Sequence, residues 1–153
     1  MPKSRQIEWD EKATAAANAR RELPPLVSRY FGLVRELLAK DPSPPELHRL
    51  RLATKRLRYT LELFRPCYGP GLETRMAELR EIQQLLGEVN DSAAAGRLLA
   101  NAMREPAQLG HVETFLEERA DAKAQAFRKH WVEVFDAAGR ERWWTEYLER
   151  QAR

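Results

Sequence analysis

One cysteine in 153 residues leaves no internal disulfide. Cys67 has no CxxC partner and no histidine at metal-ligand spacing, so it is expected to be a small buried hydrophobe. Glycine is scarce and β-branched residues are few, and no segment reads persuasively as a strand. No apolar run approaches the ~20 residues of a membrane span. The N-terminal stretch MPKSRQIEWDEK lacks the apolar core of a secretory signal. The cytoplasm is the expected setting. There is no GxxxxGK[ST] and no HExxH. The three histidines, His48, His111 and His130, show no HxxxH spacing and join no carboxylate cluster. No metal, no cofactor and no catalytic residue is expected.

What is present favours helix. Leu, Ala, Arg and Glu dominate, and 43% hydrophobic with 32% charged residues fits a single soluble globular domain. A weakly amphipathic helix is expected over Asp10 to Glu22, interrupted at Pro24-Pro25, where a second helix starts with Leu26, Tyr30, Leu33 and Leu37 on one stripe. Lys40 to Pro45 is a loop, with Ser43 or a neighbour as the next N-cap. A helix from about Pro45 to Phe64 follows, then a turn at Tyr68 to Gly71. The next helix carries Leu72, Met76, Leu79, Ile82 and Leu86, and Asn90 or Asp91 is expected to cap a restart at Ser92. After a polar break at Pro106 to Gly110, a long helix spans Val112 to Ala137, and Gly139 separates a terminal piece, Arg140 to Arg153. The expected architecture is all-α, an up-and-down bundle of four main helices with short terminal extensions at 1–22 and 140–153.

Charge is unevenly placed. Between His48 and Thr60 the chain reads HRLRLATKRLRYT, with five Lys or Arg and no acid. Without those five the molecule would hold 21 bases against 23 acids, so its formal +3 resides on one short element. At about 100° per residue, Leu50, Ala53, Leu57, Leu61 and Phe64 form the core face of that helix. His48, Arg51, Lys55, Arg58 and Glu62 share another face, with Tyr59 just beyond, while Arg49 and Arg56 stand on the opposite shoulder. Like charges one turn apart destabilise an isolated helix by a few tenths of a kcal/mol each. Repeated contact with phosphates would offset that, Arg offering a planar fork and Lys a point charge. A second set, Arg119, Lys123 and His130, lies beside Leu116, Phe127, Trp131 and Val134 on the long helix. Acids at Glu117, Glu118 and Asp121 favour a merely solvated face there.

The string HRLRLATKRLRYTLELFRPCYG from His48, with LREIQQLLGEVND from Leu79, resembles the CHAD domain, the conserved-histidine α-helical domain. The matching positions are His48, Arg51, Leu52, Lys55, Arg56, Leu57, Arg58, Tyr59, Glu62 and Phe64, then Gln83, Leu86, Gly87, Asn90 and Asp91. The likeness covers about Pro44 to Ala100. It implies two similar four-helix units around a basic channel, and binding of inorganic polyphosphate without catalysis. His48, Arg51, Lys55 and Arg58 would line the channel, Arg56 would assist, and Arg49, Arg119 and Lys123 would be secondary contacts. Glu62 would orient Arg58 or Lys55, Gly87 would permit close packing, and Asn90 and Asp91 would shape a turn. The family usually carries its histidine motif twice, whereas this sequence has one copy, so the resemblance implies either a lone unit or a homodimer that rebuilds the channel. Polyphosphate granules are the implied location within the cytoplasm.

Two other functions compete. RNA presents phosphates too, but single-strand readers interleave aromatics, and only Tyr59 qualifies on this face. A phosphoanhydride-processing enzyme, or an accessory to one, would need carboxylates for Mg²⁺, a P-loop or an activated nucleophile, none of which the sequence supplies.

Overall fold

The computed structural model describes residues 7–102 and 106–153, the side chains of 106–109 excepted. Among the described residues five α-helices make up the bundle: α1 (Ala15–Leu38), α2 (Pro44–Leu63), α3 (Pro70–Ala102), α4 (Pro106–His130) and α5 (Arg140–Arg150). No strand occurs among the described residues. α3 packs along both α2 and α4, and α5 packs on α1. The all-α bundle read from the sequence is therefore the fold, with α5 as a short fifth helix.

Several boundaries differ from expectation, each for a physical reason. Pro24-Pro25 does not divide α1, which begins at a Thr14 cap accepting from Ala17 N at 3.1 Å and runs unbroken to Leu38. An interior proline costs about 3 kcal/mol. Here Ala16, Ala19, Leu23, Val27, Phe31 and Val34 are buried on one continuous stripe through both prolines, and that burial holds the helix together. Residues 15–22 are thus part of a core helix rather than a peripheral extension.

α3 likewise does not stop at Asn90-Asp91. Its stripe continues from Leu86 to Val89 and Ser92, and the Ser92 hydroxyl donates to the Glu88 carbonyl at 3.0 Å. Asn90 and Asp91 are interior helical positions, so neither shapes a turn. The polar segment at Pro106 to Gly110 is the first part of α4, not a break.

After His130 the backbone widens into one π-helical turn, Trp131–Phe135, closed by Asp136 N donating to the Trp131 carbonyl at 2.7 Å. The extra residue rotates Phe135 into the core and leaves Val134, expected on the apolar side, exposed. Trp131 and Phe135 then stack at 4.7 Å between centroids and meet Phe31 of α1 at 5.5 and 5.3 Å. Gly139, at φ +81°, turns the chain into α5. There Trp144 is wholly buried against Phe135, and Trp143 and Tyr147 pack on the guanidinium of Arg75. The terminal aromatics belong to the core of this chain. Cys67 is half-buried rather than buried.

Candidate functional site: the basic face of α2

α2 is fixed at its start by a capping box. Ser43 accepts from the Glu46 amide at 3.4 Å, and the Glu46 carboxylate accepts from Ser43 N at 3.2 Å. These bonds hold the Glu46 carboxyl below its ordinary range. The core face consists of Leu47, Leu50, Thr54, Leu57, Leu61 and Phe64. Ala53, expected there, is only half-buried, and Thr54 takes the central place. The Thr54 hydroxyl donates to the Leu50 carbonyl at 2.9 Å and shares a hydrogen bond of 2.7 Å with the Tyr30 hydroxyl, which satisfies both polar groups in an apolar setting. A threonine on the core stripe breaks the apolar pattern, and so periodicity alone misplaces it.

With the core face turned inward, the cationic stripe falls into the groove between α2 and α3. His48, Arg51, Lys55 and Arg58 are all half-buried, so the rail lies along a groove wall rather than standing free in solvent. Arg58 is the most constrained. Its Nε donates to Gln83 Oε1 at 3.1 Å, its Nη1 lies 3.7 Å from Glu62 Oε2, and its guanidinium sits 4.6 Å from the Tyr59 ring centre. Glu62 is thus the carboxylate neighbour of Arg58 on its own helix. Lys55 Nζ stands 5.7 Å from the same ring and takes no carboxylate among the described residues.

Arg51 is different again. Its Nε is buried without any hydrogen-bond partner, and so is Nδ1 of His48 one turn away. Gly87 of α3 lies opposite: a Cβ placed there would come 3.5 Å from Arg51 Nε. The glycine thus widens the groove where the guanidinium enters it. Among the described residues, no carboxylate comes within 4.0 Å of the cationic groups of His48, Arg49, Arg51, Lys55 or Arg56. Arg49 and Arg56 are exposed on the outer shoulder.

The secondary residues on α4 do not join this face. Lys123 is neutralised by Glu88 at 2.8 Å, a pairing that holds the Glu88 carboxyl below its ordinary range. Arg119 borders an open groove of about 330 Å³ between α3 and α4, which Glu88, Asp91 and Lys123 also line. His130 faces Glu81 at 3.9 Å. That region is mixed in sign, in keeping with the solvated face its neighbouring acids suggest. Sequence reasoning missed the hydrogen bond of Gln83 to Arg58. Only the register between α2 and α3 reveals it.

No curated protein and no solved structure matches this chain. The family model of the CHAD domain matches residues 3–100, a span that takes in α1 and α2 and nearly all of α3. The match reaches well upstream of the His48 motif and includes both the rail and the glycine opposite it. The chain belongs to the CHAD domain family.

Proposed function

We propose that this domain is a non-catalytic binder of inorganic polyphosphate, or of a closely similar linear polyanion, through the α2 face. The observation that carries the reading is the unpaired state of that face. Several cations elsewhere meet carboxylates: Arg35 with Asp136 and Glu141, Arg65 and Arg80 with Glu73, Arg140 with Glu78, and Lys123 with Glu88. Others, such as Arg29, Arg119 and Lys129, do not among the described residues. The α2 face stands out because its unpaired cations are half-buried in successive turns of one helix. Among the described residues, Arg58 is the one cation of α2 that meets a carboxylate, one of its own helix. A buried guanidinium donor without an acceptor costs free energy unless a ligand supplies one. A phosphate oxygen is a suitable acceptor, and a chain of phosphates would meet several such donors at once.

His48 and Arg58 are ten residues apart, about 15 Å along the helix axis. A single phosphate meets one or two of these cations, whereas a chain follows the whole rail. RNA fits less well, since the one aromatic here, Tyr59, already has Arg58 over its ring.

The test is binding of long-chain polyphosphate to wild type and to Arg51→Ala/Lys55→Ala/Arg58→Ala at two salt concentrations. Three lost charge-assisted contacts should weaken binding on the order of 1,000-fold. The salt dependence should fall by about two to three counterions. Unchanged affinity in a folded variant would overturn the proposal, and so would stronger binding of RNA in direct competition. Phosphate release from polyphosphate with Mg²⁺ or Mn²⁺ would overturn its non-catalytic part.

A further inference from the structure

Among the described residues, two arginines pair with a glutamate one turn later on their own helix, and the two pairs differ. On α5, Arg142 Nε donates to Glu146 Oε1 at 2.6 Å, which holds the Glu146 carboxyl below its ordinary range. On α2, Arg58 and Glu62 have the same residue types at the same spacing and in the same order. Yet Nη1 of Arg58 stays 3.7 Å from Glu62 Oε2. A closed bond between these groups would measure about 2.7–2.9 Å. Exposure does not explain the gap. The Arg142 side chain is 80% exposed and closes on its partner, whereas that of Arg58 is 15% exposed and does not. The drier pair should attract more strongly, not less.

Two neighbours hold Arg58 back. Gln83 reaches across from α3, and its Oε1 accepts from Arg58 Nε at 3.1 Å. Only the oxygen end of the amide can face a guanidinium, which offers donors and no acceptor. The Tyr59 ring covers one face of the same group at 4.6 Å. Nε is the atom through which Arg142 takes its glutamate, and on Arg58 it is already occupied by the amide. Gln83 is half-buried and follows Ile82 of the α3 core stripe, so its backbone is fixed at the wall of the groove. An amide is neutral. It directs the guanidinium without cancelling its charge, as a carboxylate in the same place would.

We infer that Gln83 is a positioning residue of the anion site, holding the Arg58 guanidinium across the α2–α3 groove and keeping Glu62 from neutralising it. The consequence for binding rests on the polyanion reading of the α2 face, whereas the restraint on Arg58 does not. Without the amide, Nε is free to turn toward Glu62 as its counterpart does on α5. The rail then keeps its arginine and loses that arginine's charge.

Gln83→Met retains the length of the side chain and removes the acceptor. It should weaken binding of long-chain polyphosphate about fivefold and lower the salt slope by about one counterion. Adding Glu62→Gln should restore most of the loss, because the carboxylate that captures the arginine is gone. Gln83→Glu keeps an acceptor at Nε but brings a charge with it. That variant should bind more weakly by a similar factor, and Glu62→Gln should not rescue it. On an Arg58→Ala background Gln83→Met should have no further effect. With no ligand present, the coupling of Arg58 to Glu62 in a double-mutant cycle of urea unfolding should be larger on the Gln83→Met background than in wild type.

A folded Gln83→Met protein that binds as wild type does would overturn the inference and leave the binding function standing. A loss that Glu62→Gln fails to restore would do the same, since a merely structural glutamine predicts no rescue. An Arg58–Glu62 coupling that ignores Gln83→Met would overturn the restraint without any appeal to polyphosphate. Growth of that coupling in a protein that binds no polyphosphate would uphold the restraint and overturn the proposed function instead.

Discussion

Two arginines, Arg75 on α3 and Arg51 on α2, show how differently this molecule treats a guanidinium. Arg75 is 5% exposed, deeper than any cation of the α2 face. Its Nη1 donates to the Gly71 carbonyl at 2.9 Å and its Nη2 to the Trp143 carbonyl at 2.8 Å. Its plane lies between two rings, 3.5 Å from the centre of Trp143 and 3.9 Å from that of Tyr147. Burial brings its pKa down to about 10, and the rings and carbonyls stand in for water. Arg51 is less buried as a residue, but it has no comparable set of partners and its Nε is enclosed and unbonded. Arg75 closes α5 onto α3 through both Nη groups and two rings, although its Nε, like that of Arg51, is buried without a partner. Arg51 is held in place with its hydrogen-bonding capacity unused.

Replacing Arg75 should therefore have the larger effect on stability. Arg75→Ala removes the two guanidinium hydrogen bonds to the Gly71 and Trp143 carbonyls, opens the space between Trp143 and Tyr147, and weakens the seat of α5. The expected cost is about 3 kcal/mol, or a Tm lower by roughly 6–12 °C for a chain of this length. Gly71 reinforces the same junction. A Cβ there would come 2.5 Å from Cε2 of Tyr147, so the aromatic side of the clamp depends on that glycine. Thermal or urea unfolding measures the loss. A cost below about 1 kcal/mol would mean that Arg75 is as dispensable to the fold as the rail residues, and the contrast would fail.

A smaller effect of opposite sign belongs to Gly87. Glycine inside a helix costs about 0.5–1 kcal/mol relative to alanine. The added Cβ would meet Arg51 Nε at 3.5 Å, an ordinary contact. Gly87→Ala should thus raise stability by that amount and leave polyanion binding nearly unchanged. Gly87→Leu should fill the groove, push the guanidinium aside and weaken binding several-fold. If Gly87→Leu binds as well as wild type, the groove at Arg51 is not where the anion lies.

How far the sequence could be read follows the same division. The α2 motif was legible because its signal is local: a run of cations without acids, at spacings that a 3.6-residue period places on one face. The fold class and the Ser43 cap were legible for the same reason. The continuity of α1 through Pro24-Pro25 was not, because local chemistry argues for a break and only a stripe buried by other helices overrides it. Asn90-Asp91 misled in the same way, as cap-forming residues held helical by Val89 and Ser92. The π turn at Trp131 shifted the register by one residue and exchanged Val134 for Phe135. Arg75 gave no sign at all, since the rings and the carbonyl that enclose it from outside its own helix lie on α5, far along the chain. Lys123 is expected from the sequence to be a secondary anion contact, and its pairing with Glu88 depends on how α3 meets α4.

The smallest expected change is the most discriminating. Arg51→Ala removes a guanidinium that makes no hydrogen bond or ion pair among the described residues. It also relieves like-charge repulsion from Lys55 one turn away, worth a few tenths of a kcal/mol. Against this stands the lost packing of its aliphatic stem along the α2–α3 groove. The two nearly cancel, and stability should stay within about 0.5 kcal/mol of wild type, read by urea unfolding beside Arg75→Ala. Polyphosphate affinity should nevertheless drop about tenfold, the equivalent of one charge-assisted hydrogen bond. A residue kept for the fold would show the reverse pattern, with stability falling and binding following only as far as unfolding requires. If Arg51→Ala costs as much as Arg75→Ala, its guanidinium is a structural group, and the unpaired cations of α2 lose their claim to be waiting for a phosphate.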